Sequence, residues 1–176
     1  MTMREVECKV LEVDVGQLKR KLKQLHARHI STKRLVAVHL DTRDRFFSKK
    51  HWLVRLRSDG GPAVLTLKMR SSKKAGLKSA DEREITLSGF KSSLRVLRKM
   101  GLEPVRTLTK KRESYMLGDV RLEIDKYLKE LSHIPPFLEI EADSRRKVLW
   151  AARKLGYSAR DLKAYDTHDL ITHYSK

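Results

Sequence analysis

Charges of one sign recur two residues apart in the β-like segments of this chain. The acidic sets are Glu5 and Glu7, Glu82 and Glu84, Glu123 and Asp125, and Glu139 and Glu141. The basic sets are Arg55 and Arg57, Lys68 and Arg70, and Lys110 and Arg112; Lys9 continues the Glu5/Glu7 face and Arg121 the Glu123/Asp125 face. Side chains alternate across a strand, so each pair sits ~7 Å apart on one face. Two carboxylates that close repel unless a cation lies between them, and two guanidinium groups need an anion. A half-buried strand ordinarily has one apolar face and one mixed polar face. Any single pair is most simply a solvated outer face. The repetition, with apolar residues at the alternate positions, argues for a sheet built around divalent cations and a polyanion.

The remaining punctuation gives an α+β order. Alternation over Met3–Val13 predicts a strand, and Asp14 caps a helix expected over Val15–Arg28, with Leu18, Leu22 and Leu25 at helical spacing. Strands are expected at Arg34–Thr42, Trp52–Ser58, Ala63–Arg70 and Glu82–Ser88, with a Gly60-Gly61-Pro62 turn. The small, basic stretch Ser71–Ala80 reads as a mobile loop. A helix over Phe90–Met100 precedes a hairpin, Val105–Met116 and Val120–Tyr127, turned at Gly118-Asp119. A strand at Phe137–Ala142, a helix at Ser144–Leu155 and a short helix in the tail complete the chain. Close spacing of neighbouring strands favours an antiparallel α+β protein or barrel over a doubly wound sheet. If that sheet closes, the charged faces point into one polar tunnel. Val6, Val10, Leu56, Leu65, Leu67, Ile85, Leu87, Leu122, Ile124, Leu138 and Ile140 then point outward beneath the helices.

Composition narrows the setting. A chain of 176 residues with 40% hydrophobic content fills one core and reads as a single domain over residues 1–176. No stretch approaches the ~20 apolar residues of a membrane span. The N-terminal stretch has no apolar secretory pattern, so a cytoplasmic protein, monomer or homodimer, is expected. One cysteine, Cys8, excludes a disulfide framework and a cysteine-rich zinc site. Cys8 is expected to be a buried, inert thiol. The seven histidines show no ligand spacing, and His168 and His173 read as surface residues. Trp52 and Trp150 read as core anchors, and Asp41-Thr42 as a turn.

All-oxygen carboxylate ligands suit Mg²⁺ or Mn²⁺. Arginines and lysines facing the same space grip phosphate oxygens. Metal plus a basic clamp on a phosphate chain is the general arrangement for phosphoryl or nucleotidyl transfer. No GxxxxGK[ST] loop is present, so side chains must hold the phosphate.

These motifs, in their order, resemble the CYTH domain, or triphosphate tunnel metalloenzyme, superfamily. Glu5-Val6-Glu7-Cys8-Lys9 resembles its N-terminal ExExK signature, Leu53–Arg57 its paired-arginine strand, and Leu65–Lys68 its Thr-x-Lys strand. Glu82–Ile85, Lys110–Arg112, Glu123–Asp125 and Phe137–Glu141 are similar to its later strands, while His39 replaces the usual aromatic residue before Asp41-Thr42. The resemblance implies an eight-stranded antiparallel β-barrel enclosing a triphosphate tunnel, with helices packed outside. It implies metal ligation by Glu5, Glu7, Glu139 and Glu141, with Glu123, Asp125 and Glu84 as further candidates. Lys9, Arg55, Arg57, Lys68 and Arg112 would hold the phosphate chain and, with Glu5 and Glu7, form the catalytic set. Arg70, Lys110 and Arg121 join the substrate set on strand parity. The implied function is a metal-dependent hydrolase of tripolyphosphate, nucleoside triphosphate or thiamine triphosphate. The alternatives are a class IV-type adenylyl cyclase, an RNA 5′-triphosphatase, and a non-catalytic phosphate- or nucleic-acid-binding module.

Net charge is a separate matter. The chain carries 40 basic and 22 acidic residues, for +18. The proposed tunnel holds eight carboxylates and eight cations, leaving 32 basic against 14 acidic residues elsewhere. The whole excess therefore belongs to the exterior and has a separate cause: substrate steering, a nucleic-acid partner such as RNA, or a high-salt cytoplasm.

Overall fold

The computed structural model describes the backbone of residues 3–175, and the side chains of these except residues 3, 4, 70 and 71. Eight long strands run as β1 (Met3–Val10), β2 (Arg28–Asp41), β3 (Leu53–Ser58), β4 (Ala63–Lys74), β5 (Leu77–Leu87), β6 (Glu103–Leu117), β7 (Val120–Tyr127) and β8 (Phe137–Ala142). The helices are α1 (Val15–Gln24), α2 (Phe46–Lys49), α3 (Phe90–Lys99), α4 (Arg145–Leu155) and α5 (Thr167–Tyr174). A two-residue strand, β9 (Leu162–Lys163), pairs with β1 at Lys9 and Val10. The hydrogen-bonded order is β5-β4-β3-β2-β6-β7-β8-β1-β9, and a further β5–β1 pairing closes it. The fold is the expected closed eight-stranded antiparallel β-barrel of an α+β protein.

Two compact units divide these elements, each with its own core. One comprises mainly Arg34–Ser71 and Ala80–Lys110. Its core is Val38, Leu40, Val54, Leu56, Ala63 and Leu97, with Leu65, Leu67, Leu87 and Leu94 packed against it. Gly89 precedes α3, whose Leu97 is buried and which packs on β3. Ile85, expected in this layer, is 56% exposed. It lies in an exposed run, residues 83–86, where β5 contributes no core residue. Asp41 is more than a turn residue. It is buried and accepts hydrogen bonds from the backbone N–H of Thr42 at 2.8 Å, and of Phe47 and Ser48 at 3.0 Å, tethering α2. Trp52 is half-buried and meets Phe46 edge-on with ring centroids 6.4 Å apart, so it anchors α2 and not the deep core.

The other unit comprises Glu5–Lys33, Ser72–Ser79 and the chain from Lys111. Asp14 caps α1 by accepting from the Gln17 N–H at 2.9 Å, and Leu18 and Leu22 are buried on one helical face. In α4, Val148, Ala151, Ala152 and Leu155 are buried at helical spacing against β8 and β7. That spacing places Trp150 on the opposite face, 43% exposed, so it is not the expected core anchor. Gly156, at φ 95°, ends the helix. Cys8, Val6 and Val10 are buried in the same core as Leu122, Ile124, Leu138 and Ile140.

The stretch expected as a mobile loop, Ser71–Ala80, is instead a β-hairpin. β4 continues to Lys74, Ala75 and Gly76 turn with positive φ (48° and 75°), and β5 begins at Leu77. Positive φ at both central residues is the two-residue hairpin geometry that matches strand twist. A Cβ at Gly76 would lie 2.6 Å from the Leu162 carbonyl oxygen, so the tip packs too closely for any side chain. On the same hairpin, Lys73 Nζ pairs with Asp166 at 2.9 Å and with Asp169. These are the two carboxylates of the capping box that starts α5.

Candidate active site

Register builds the site. In the second unit, β8 lies between β7 and β1. Glu139 is opposite Glu123 on one side and Lys9 on the other. Glu141 is opposite Arg121 on one side and Glu7 on the other. Directly opposed residues stand ~5 Å apart, so the i, i+2 pattern of three separate segments becomes two adjoining charged rows. Glu7 and Lys9 are only 6% and 5% exposed, buried on the face opposite Cys8. Charged side chains this deep require partners.

The partners are local. Lys9 Nζ lies 3.0 Å from Glu139 Oε2. Arg112 on β6 donates from Nε to Asp125 Oδ1 at 2.7 Å and from its terminal nitrogen to Oδ2 at 2.6 Å. It also pairs with Glu123 and reaches Glu139 Oε1 at 3.6 Å. Burial works against the Lys9 and Arg112 cations, but their surrounding carboxylates outweigh it and hold both above their ordinary values. Ser114 Oγ approaches Glu123 Oε1 at 3.4 Å.

One oxygen each from Glu123, Glu139 and Glu141 lies within 4.8 Å of the other two. Glu141 is pushed up to about 9, first by burial, then by the hydrogen bond and negative charge of Glu5, and by Glu139; Arg121 only partly offsets this. The crowding is that of a carboxylate site whose charge calls for a further cation. An all-oxygen donor set with converging atoms fits a hard divalent ion.

The first unit holds a second charged cluster. Thr66 Oγ1 donates to Glu84 Oε1 at 2.6 Å, and Arg55 and Arg57 approach that oxygen at 3.8 and 3.9 Å. Lys68 pairs with Glu82. The buried Nε of Arg55 has no hydrogen-bond partner among the described residues, while its terminal nitrogen reaches Thr66 Oγ1 at 3.4 Å. Lys110 is half-buried on β6, and Arg121 is exposed on β7. The side chain of Arg70 lies outside the described residues.

Sequence reading missed Lys78. Its Nζ lies 3.0 Å from Glu7 Oε1, and both residues are buried. Lys78 shares parity with Glu82 and Glu84, so the signal was present once β5 is extended back to Leu77. Reading the stretch as a loop removed that parity.

The site and topology define a class: antiparallel barrels whose strands carry matched acidic and basic residues for a metal and an anionic substrate. The CYTH domain model matches residues 3–169, and the chain belongs to the CYTH domain family. Members of this family are enzymes that act on triphosphates with divalent metals. A Methanocaldococcus jannaschii protein provisionally named an adenylate cyclase is 27% identical over 79% of this chain and 77% of its own. Among solved structures, a Vibrio parahaemolyticus protein with the same provisional name has TM-score 0.82 and 16% identity, covering 98% of this chain and 99% of its own. A Hippeastrum protein, provisionally an adenylyl cyclase and described by its dominant triphosphatase activity, has TM-score 0.69 and 15% identity, with 96% and 95% covered. Among the described residues, no helix is long and apolar enough to cross a membrane.

Proposed function

We propose that this protein is a Mg²⁺- or Mn²⁺-dependent triphosphate hydrolase acting on tripolyphosphate, a nucleoside triphosphate or thiamine triphosphate. The observation that carries the reading is the convergence of Glu123, Glu139 and Glu141 beside Lys9 and Arg112. Glu139 and Glu141, with Glu123, Glu5 and Glu7, would hold a divalent ion. Such an ion supplies Lewis-acid neutralisation of phosphate oxygens. Asp125, chelated by Arg112, is assigned to positioning that guanidinium, and Glu84 to orienting Arg57 directly and Arg55 both directly and through Thr66.

The cations are held by the same carboxylates that would take the metal. Lys9 and Arg112 would offer their N–H groups to phosphate oxygens from positions set by Glu139 and Asp125, while the converging carboxylates would hold the ion beside them. In the first unit, Arg55, Arg57 and Lys68 are assigned to phosphate oxygens, and the unsatisfied Arg55 Nε supports this. Cations fixed before substrate arrives stabilise charge developing on the phosphoryl group as water attacks the terminal phosphorus.

The names of two relatives favour a second reading, cyclisation of ATP with release of pyrophosphate. The Hippeastrum protein's described activity supports hydrolysis. Purified protein incubated separately with ATP, tripolyphosphate and thiamine triphosphate, with Mg²⁺ or Mn²⁺, is expected to release orthophosphate. Cyclic AMP and pyrophosphate with little orthophosphate would replace the hydrolase reading by the cyclase.

A further inference from the structure

The barrel cluster leaves the chain's +18 unexplained, and α4 shows one place where, among the described residues, several cations stand without a salt bridge. Its buried stripe faces the core through Val148, Ala151, Ala152 and Leu155. The opposite face carries Arg146, Trp150, Arg153 and Lys154, at the i, i+4, i+7 and i+8 spacing of one helical surface. With Leu149 these residues line an open depression of about 510 Å³. Trp150 is 43% exposed, and among the described residues no ring or cation stacks on its indole.

The three cations differ from those in the barrel. Among the described residues, Arg146, Arg153 and Lys154 make no salt bridge and no side-chain hydrogen bond. Asp143, whose charge feels Arg146, is held by Lys147 at 2.7 Å, and Lys147 also takes Asp119. Asp119 and Asp143 both pair with Lys147, and with Arg146, Arg153 and Lys154 beside them the outer face keeps a net positive charge around a flat aromatic surface.

We infer that this face of α4 binds single-stranded nucleic acid, with a base stacked on Trp150 and the phosphates against Arg146, Arg153 and Lys154. An aromatic platform flanked by cations suits a strand whose bases are exposed, because every base has a π-face and every linkage an anion. A duplex hides its bases, a purely anionic peptide offers nothing planar to the indole, and a lipid surface calls for a broader apolar face than one tryptophan and one leucine. The inference does not depend on the hydrolase reading, since the depression uses no residue of the charged barrel clusters.

The test is fluorescence anisotropy with a labelled 12-nucleotide 5′-hydroxyl oligouridylate in EDTA, which removes both the triphosphate group and the metal from consideration. Binding is expected with Kd of roughly 10–100 µM at moderate salt, with log K falling against log salt at a slope of about −2 for three phosphate contacts. Trp150→Ala should weaken binding about 5- to 100-fold, and Trp150→Phe should restore most of it. Arg146→Glu and Arg153→Glu should each weaken binding and flatten the salt slope. All four variants should keep wild-type triphosphate turnover and far-UV circular dichroism. Oligonucleotide binding indifferent to Trp150→Ala would overturn the inference. So would equal affinity for polyglutamate, or binding to phosphatidylserine vesicles with none to the oligonucleotide.

Discussion

Arg112 chelates Asp125 with two hydrogen bonds of 2.7 and 2.6 Å, and Asp125 is 0% exposed. This bidentate pair fixes the guanidinium, whose other terminal nitrogen is directed to Glu123. Arg112→Ala removes the cation that the buried Asp125 and Glu123 share. The expected loss is about 3–5 kcal/mol of unfolding free energy, read by denaturant titration. Arg112→Lys should recover only part of it, because an ammonium cannot reproduce the fork. A variant as stable as wild type would show that the carboxylates find other compensation.

Glu141 supplies a pH test with a definite sign. In the cation-free protein its carboxyl is pushed up to about 9 by burial and by Glu5, against an ordinary value of 4.5. A raised folded-state value means stability is fully present below the unfolded value and is lost as pH rises toward the folded one. In EDTA, Tm should therefore fall between about pH 5 and pH 9. Mg²⁺ or Mn²⁺ should reverse the fall, since binding favours the ionised form. Glu141→Gln should flatten the pH dependence in EDTA and abolish turnover. A pH-independent Tm in EDTA, or near-normal turnover by Glu141→Gln, would remove this residue from the metal set.

Lys78 links the β4–β5 hairpin to Glu7 through a buried 3.0 Å pair. Lys78→Met leaves Glu7 with one fewer buried cation. It should lower kcat and raise the divalent cation concentration needed for half-maximal turnover. Lys78→Arg should restore much of both. An unchanged cation requirement in Lys78→Met would mean that Lys78 serves the hairpin alone.

The tie between Lys73 and the α5 capping box predicts acid lability at the C-terminal end. Asp166 is lowered to about 2: burial alone would raise it, but hydrogen bonds from Lys73 and the Asp169 N–H outweigh that. A depressed folded-state value gives stability that is present above the ordinary 3.8 and lost as pH falls through about 2. Lys73→Met should speed amide exchange in Thr167–Tyr174 at neutral pH and weaken the acid dependence. Exchange as slow as in wild type would show that the capping box holds without the lysine.

Cys8 is pushed up to about 12, chiefly by burial. At pH 8 it should resist aromatic disulfide reagents in the folded protein and react stoichiometrically in denaturant. Rapid reaction under native conditions would place the thiol outside the core.

The alternation of charge determined much of this protein in advance. It specified which residues share a strand face, because side-chain period in a strand is a local property of the backbone. It therefore gave the Glu139/Glu141 and Glu5/Glu7/Lys9 sets, and the order of motifs carried the family. Helix ends at Asp14 and Gly156 were equally legible, since caps are local chemistry. Tertiary structure alone decided pairing across strands: that Glu139 stands between Glu123 and Lys9, that Arg112 reaches Asp125, and that Lys78 meets Glu7 from 71 residues away. Those choices depend on register and on the burial of other segments, which no short window of sequence contains. The same holds for Trp150, whose hydrophobicity suggested the core. The packing of Val148, Ala151 and Leu155 turned it outward, because a helix has only one buried face to give.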